Sequence, residues 1–158
     1  MKYHVRRIIG VIGPSHPDEE IYRLAFRVGE LVGLQGWITV TGGLGGVMEA
    51  AACGARSSKG ITVGLLPGDD PTSCNSCIDI PIATGLGEMR NFLIVRASGA
   101  LISVGLSPGT LIEMATAVRI GKPLVALGLE TSLPIEVRRA RSPEEAIEYL
   151  KGLWRTGK

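Results

Sequence analysis

Short apolar runs recur along the chain at residues 7–12, 37–41, 61–66, 100–104 and 124–127, each bounded by Gly, Pro or polar residues. Runs of this length and composition predict strands, and the first, being unbroken, predicts one buried on both faces. Between them the spacing changes to that of helices. Ile21, Leu24, Ala25, Val28, Leu31 and Val32 fall on one stripe, with Asp18, Glu19 and Glu20 at the start and Gly36 as the stop. Val47, Met48, Ala51, Ala52 and Ala55 mark a second helix whose small residues suit close approach to a sheet. A third opens near Glu88, with Arg90 close to its start. A fourth places Glu113 in its first turn and runs to Ile120, where Gly121-Lys122-Pro123 stops it. Ser142-Pro143-Glu144-Glu145 has the form of a capping box and opens the last helix, striped by Ala146, Ile147, Leu150 and Leu153. Residues 78–82 predict a shorter strand, 135–137 an edge strand, and 155–158 a frayed tail. Strands alternating with helices predict one Rossmann-like domain over residues 1–158. Its fold class is α/β, doubly wound, with a mostly parallel sheet and helices on both faces.

Composition narrows this picture. The chain has 158 residues, the length of one domain. Aromatics are 4% and Gly numbers 22, so the core is aliphatic and the turns are tight. A net charge of +2 gives no global basic field for nucleic acid. No apolar run has the length to span a bilayer. The N-terminal MKYHVRRIIGVIG is basic and then apolar, but lacks a small-residue cleavage pattern and reads as the first strand. Three cysteines, an odd number, without a secretory signal point to a reducing cytoplasm. Cys74-Asn75-Ser76-Cys77 has the spacing of a redox pair or half a zinc site. A second ligand pair is missing, so no metal is expected. Cys53 reads as a packed thiol.

Candidate chemistry concentrates in two strand-to-helix turns. In parallel sheets such turns open at the carboxyl edge, where ligands bind. Gly42-Gly43-Leu44-Gly45-Gly46 packs four glycines into five residues. This allows either close backbone approach to a phosphate at a helix N-terminus or simply positive φ in a tight turn. The spacing is not the dinucleotide fingerprint, which is also absent after the first strand, where Gly13-Pro14-Ser15 stands. The second turn, residues 105–110, leads into Glu113. Thr110-Leu111-Ile112-Glu113 has the form of a capping box, so Glu113 either holds an amide or faces a pocket as acid, base or ribose ligand. Arg90, placed unfavourably at a positive helix end, is better explained by an anionic partner than by solvation alone.

These motifs together resemble the LOG-like, "lysine decarboxylase-like" Rossmann family, most closely its molybdenum-cofactor carrier branch. The resemblance runs from Gly10 to about Leu127 and rests on four segments: Gly13-Pro14-Ser15, the glycine turn with the Val47–Ala51 helix start, Thr84-Gly85-Leu86-Gly87-Glu88-Met89-Arg90-Asn91, and Ser107-Pro108-Gly109-Thr110-Leu111-Ile112-Glu113. It implies a small phosphorylated ligand, a nucleoside monophosphate or a molybdopterin-type cofactor, with no resident cofactor required and neither nucleic acid nor membrane as partner. By motif position it implies a binding set of Gly13, Ser15, Gly42, Gly43, Gly45, Gly46, Arg90, Asn91, Ser107, Gly109, Thr110 and Glu113. In the family's enzymes Arg90 and Glu113 correspond to the pair that cleaves the N-glycosidic bond of nucleoside 5′-monophosphates. The segment Gly105-Leu106-Ser107 replaces the enzymes' Pro-Gly-Gly, and Asn91 follows the arginine where enzymes have Lys. Both departures favour a binding protein over a hydrolase. A partner-binding domain with a relict pocket is the third reading. The resemblance also implies a homo-dimer or homo-tetramer, with the apolar face of the fourth helix as interface.

Overall fold

The computed structural model describes residues 6–155. Residues 1–5 and 156–158, which hold the N-terminal pentapeptide, His4 and most of the expected tail, lie outside the described residues. Arg155 itself ends the last helix.

Seven strands form one sheet: β1 (Ile8–Ile12), β2 (Ile38–Thr41), β3 (Ile61–Leu66), β4 (Ile80–Ala83), β5 (Ala100–Val104), β6 (Leu124–Leu127) and β7 (Arg138–Arg139). Their spatial order is β4-β3-β2-β1-β5-β6-β7, and every pairing is parallel. The five α-helices are α1 (Glu19–Leu34), α2 (Val47–Ser57), α3 (Arg90–Ala97), α4 (Pro108–Arg119) and α5 (Pro143–Arg155). The chain leaves β1 in one direction through β2 and returns to its other side at β5. The switch point of the sheet therefore lies between β1 and β5, and a crevice opens there at the strands' carboxyl ends.

Both faces of the sheet are covered, which is why its central strands read as largely apolar runs rather than as strict alternation. Ile9, Val11, Ile102, Val104, Val125 and Leu127 face α1, α2 and α5. The alternate positions Ile12, Leu101, Leu124 and Ala126 face α3 and α4 through Ile94, Val95, Met114 and Ala117. The period of two along each strand thus builds two cores from one sheet.

Four expectations need correction. The edge strand forms at Arg138–Arg139 rather than at 135–137, because Ile135 and Val137 turn inward against the core on the α3 and α4 side. The strand expected at 78–82 starts two residues later, since Asp79 is held by the Thr62 amide and hydroxyl. The small-residue face of α2 packs closely on α1, not just on the sheet. A Cβ on Gly54 would stand 1.9 Å from the Phe26 carbonyl oxygen, and one on Gly29 would stand 1.9 Å from that of Ala51. The capping box at α5 forms with a shift: Ser142 Oγ accepts from the Glu145 amide, while the Glu145 carboxylate accepts from the Arg141 amide rather than the cap's own.

The α1–α2 contact yields a prediction. Gly54→Ala must push two backbones apart and is expected to cost about 2 kcal/mol, in the range for overpacking a close contact. Urea unfolding checks it. A loss within about 0.5 kcal/mol, the level of an ordinary surface change, would contradict the packing described here.

Candidate functional site

At the switch point lies a cavity of about 280 Å³. Its lining brings together Gly13 and Ser15 after β1, Gly42 after β2, Arg90 and Asn91 at the start of α3, and Ser107, Gly109, Thr110 and Glu113 at the start of α4. Nine of the twelve residues expected from sequence therefore meet in one place. Gly43, Gly45 and Gly46 do not line it. Gly43 (φ 77°) and Gly46 (φ 68°) serve the turn itself by taking left-handed backbone. Gly42 has a different reason to be glycine: a Cβ there would stand 2.6 Å from Arg90 Nη2 and 2.6 Å from Met48 Sδ. Gly13 likewise lets β1 end against β5 and α2, where a Cβ would meet the Val104 carbonyl oxygen at 2.3 Å.

Arg90 opens α3 immediately after a single 3-10 turn, Gly87–Met89. It is 8% exposed, unusual for an arginine. Nη2 donates to the Gly42 carbonyl at 3.3 Å, Nη1 donates to Asn91 Oδ1, and Met48 Sδ lies 3.9 Å from Nη2. Nε is buried and has no hydrogen-bond partner. Burial pulls the Arg90 pKa down, against the opposing pull of Glu113 and then Glu88. The guanidinium is thus desolvated and incompletely satisfied, an arrangement that costs free energy.

Glu113 lies deeper in α4 than the sequence pattern suggests. Ser107 is the N-cap, accepting from the Thr110 amide at 3.2 Å, and Pro108 takes the first helical position. Thr110 is therefore inside the helix and its hydroxyl pairs with Ser107 Oγ at 2.8 Å. The expected capping box at Thr110–Glu113 does not form, and Glu113 stands in the second turn with no amide to hold. It is 7% exposed and forms no hydrogen bond or ion pair among the described residues. Burial is the main cause that raises its pKa to about 7, with Arg90 pulling the other way. A carboxyl kept near neutrality in a cavity can donate or accept at neutral pH, and perturbed groups of this kind cluster at functional sites.

The structure adds residues that the motifs did not single out. Val11, Ile12, Leu44, Met48, Pro67, Glu88 and Ile94 complete the lining. Glu88 stands two residues before Arg90 in the 3-10 turn and lines the cavity from its exposed side, a spacing visible in the sequence but unremarkable there. The cysteine readings change as well. Cys53 and Cys77 form a disulfide and Cys74 is free. Cys53 is not a packed thiol, and the CxxC is not paired with itself. Among the described residues no group of His, Cys, Asp and Glu has the arrangement to hold a metal, and no helix is long and apolar enough to cross a membrane. On α4 and its C-cap Ile112, Val118 and Ile120 are exposed, at positions spread around the helix rather than on one face, and Met89, Phe92 and Leu93 are exposed in the preceding segment.

Fold and cavity together define a doubly wound α/β protein with a polar crevice at its switch point. Comparison with known proteins specifies the class. The chain belongs to the SLOG cluster4 family, whose model matches residues 6–151. An uncharacterized protein of Archaeoglobus fulgidus is 49% identical over 142 residues, covering 89% of this chain and 92% of its own. Among solved structures, the molybdenum cofactor binding protein of the phototrophic bacterium Rippkaea orientalis superposes with a TM-score of 0.90 at 35% identity, covering 96% of this chain and 99% of its own. The molybdenum cofactor carrier protein of Chlamydomonas reinhardtii superposes with a TM-score of 0.88 at 38% identity, with the same coverage. The resemblance to the LOG-like family near its carrier branch therefore holds.

Proposed function

We propose that this protein binds and carries a phosphorylated, molybdopterin-type cofactor. The observation that carries the reading is Arg90, a buried guanidinium with an unpartnered Nε in the crevice that also holds the uncommitted Glu113. An anion in the crevice would complete Arg90, and the N-terminus of α4 would add the Gly109 amide, since Pro108 has none and Ser107 Oγ holds that of Thr110. Glu113 would accept from or donate to a pterin edge, since both its protonation states are populated near neutral pH. The similarity to two proteins described as binding or carrying molybdenum cofactor supports this choice of ligand.

A hydrolase is the second reading, favoured by one observation: a carboxyl with a pKa of about 7 is suited to acid–base work at neutral pH. Against it, the Ser107 and Thr110 hydroxyls are engaged with each other and with the helix cap rather than free to cradle a ribose phosphate. Incubation with adenosine 5′-monophosphate separates the two. The carrier leaves the nucleotide intact, whereas release of free adenine that disappears in Glu113→Ala would establish the hydrolase.

A further inference from the structure

We infer that the Cys53–Cys77 disulfide is a redox latch that holds Asn75 as the positioning residue of the glycine turn. Asn75 grips the outer side of that turn three times. Its amide donates to the Gly43 carbonyl at 2.9 Å, and its side-chain Nδ2 donates to the carbonyls of Gly43 at 3.3 Å and Leu44 at 2.8 Å. Its Oδ1 accepts from the Cys77 amide at 3.0 Å, which ties the grip to the half-cystine. The inner side of the same turn faces the cavity through Gly42 and Leu44. One residue thus connects the disulfide to the cavity wall.

The disulfide is the covalent tie between this loop and α2, the helix that follows the turn. Polar ties to α2 come from Arg56, whose Nη1 donates to the Ser76 carbonyl at 2.6 Å and which pairs with Asp79 at 3.7 Å on an exposed surface. A separate bond joins the loop to β3, where Thr62 Oγ1 donates to the Cys77 carbonyl at 2.6 Å. Ser76 and Asp79 are exposed, and both half-cystines are partly so, which leaves the bond within reach of a reductant. A small dithiol supplies the chemistry. Its thiolate attacks one sulfur of the Cys53–Cys77 bond and the other leaves as a thiolate that takes a proton. The second thiol of the reductant then displaces the remaining cysteine and closes its own disulfide, so two electrons and two protons pass to the protein. Cys74, a free thiol three residues from Cys77, offers an exchange route that a Cys74→Ser variant removes.

The link to ligand retention rests on the carrier reading, but the latch itself has a readout without ligand. Amide hydrogen exchange is measured on the Cys74→Ser protein, oxidised and after treatment with dithiothreitol. Exchange at Asn75, Cys77 and Ile78 is expected to quicken about tenfold on reduction, while amides of β5 stay protected. Pterin retained by protein from cofactor-making cells is expected to leave faster in the reduced state. Unchanged exchange at these three amides would overturn the latch. Faster exchange spread evenly over β5 would also overturn it, marking the disulfide as a general staple. Faster local exchange in a protein that holds no pterin in either state would support the latch and remove the carrier reading instead. A second variant, Asn75→Ala, is expected to reproduce the reduced behaviour with the disulfide intact. If it leaves exchange at Cys77 and retention as in the parent, Asn75 is not the connecting residue.

Discussion

Arg90→Ala is expected to weaken retention of the cofactor about 100-fold while leaving the protein folded. The magnitude follows from one charge-assisted hydrogen bond to an anion, which contributes about 1.5–3 kcal/mol in a desolvated site, at about 1.4 kcal/mol per tenfold. Arg90 is the buried cation of the crevice, and its Nε has nothing to bond to until a ligand arrives. Removing it also leaves Glu113 without the charge that opposes the rise in its pKa, so the carboxyl holds its proton more firmly while the crevice loses its positive charge. Arg90→Lys is expected to recover only part of the affinity, because an ammonium keeps the charge but loses the planar fork. Arg90→Met separates chemistry from packing, since it fills similar volume against Met48 and Gly42 without a charge. The check is the ligand dissociation rate measured on all three variants beside circular dichroism. Dissociation from Arg90→Ala within threefold of the parent would remove Arg90 from the site.

Glu113→Gln is expected to raise stability at pH 8 by about 3 kcal/mol and to flatten the dependence of stability on pH. The sign follows from the direction of the shift. The folded-state pKa of about 7 lies above the ordinary 4.5, so the native state binds the proton more tightly than the unfolded chain does. The favourable contribution is complete below about pH 4.5 and is lost as pH rises to about 7. Above that, the folded protein carries a buried carboxylate at a cost of about 3 kcal/mol, which follows from a pKa of about 7 in place of 4.5. Glutamine keeps the shape and the hydrogen-bonding capacity without the charge. Denaturant unfolding of both proteins at pH 5 and pH 8 tests this: the variant and the parent should differ at pH 8 and converge at pH 5. An equal difference at both values would show that the side chain's packing, and not its ionisation, sets the effect.

What the sequence carried, and what it did not, follows from the range of the forces involved. The strands were legible because burial on both faces leaves short aliphatic runs, as in Leu124–Leu127 of β6. Arg90 and Glu113 stood out by position relative to turns, and the structure does bring them to one cavity. The reason Glu113 is free was hidden. Two N-cap candidates, Ser107 and Thr110, lie three residues apart, and local pattern favoured the one followed by Glu. Pro108 decides between them by fixing the first helical residue. The disulfide was hidden because its partners lie 24 residues apart and one of them sits in a more familiar CxxC spacing. Leu44 and Met48 read as turn and core, and only the position of the β2–α2 turn beside the switch point brings them to the crevice. The glycine turn divided in a way spacing could not show. Gly43 and Gly46 answer to backbone geometry, and Gly42 answers to the guanidinium beside it.

The central claim is that the crevice holds a molybdopterin-type cofactor without turning it over. Its most direct test is the pterin content of the native protein purified from cells that make the cofactor. The bound fraction is oxidised to its fluorescent pterin form and separated by chromatography, with Arg90→Ala prepared in parallel. A pterin signal that co-elutes with the parent chain and is lost from the variant is the predicted result. A parent chain that carries no pterin, or carries it equally with and without Arg90, would contradict the account.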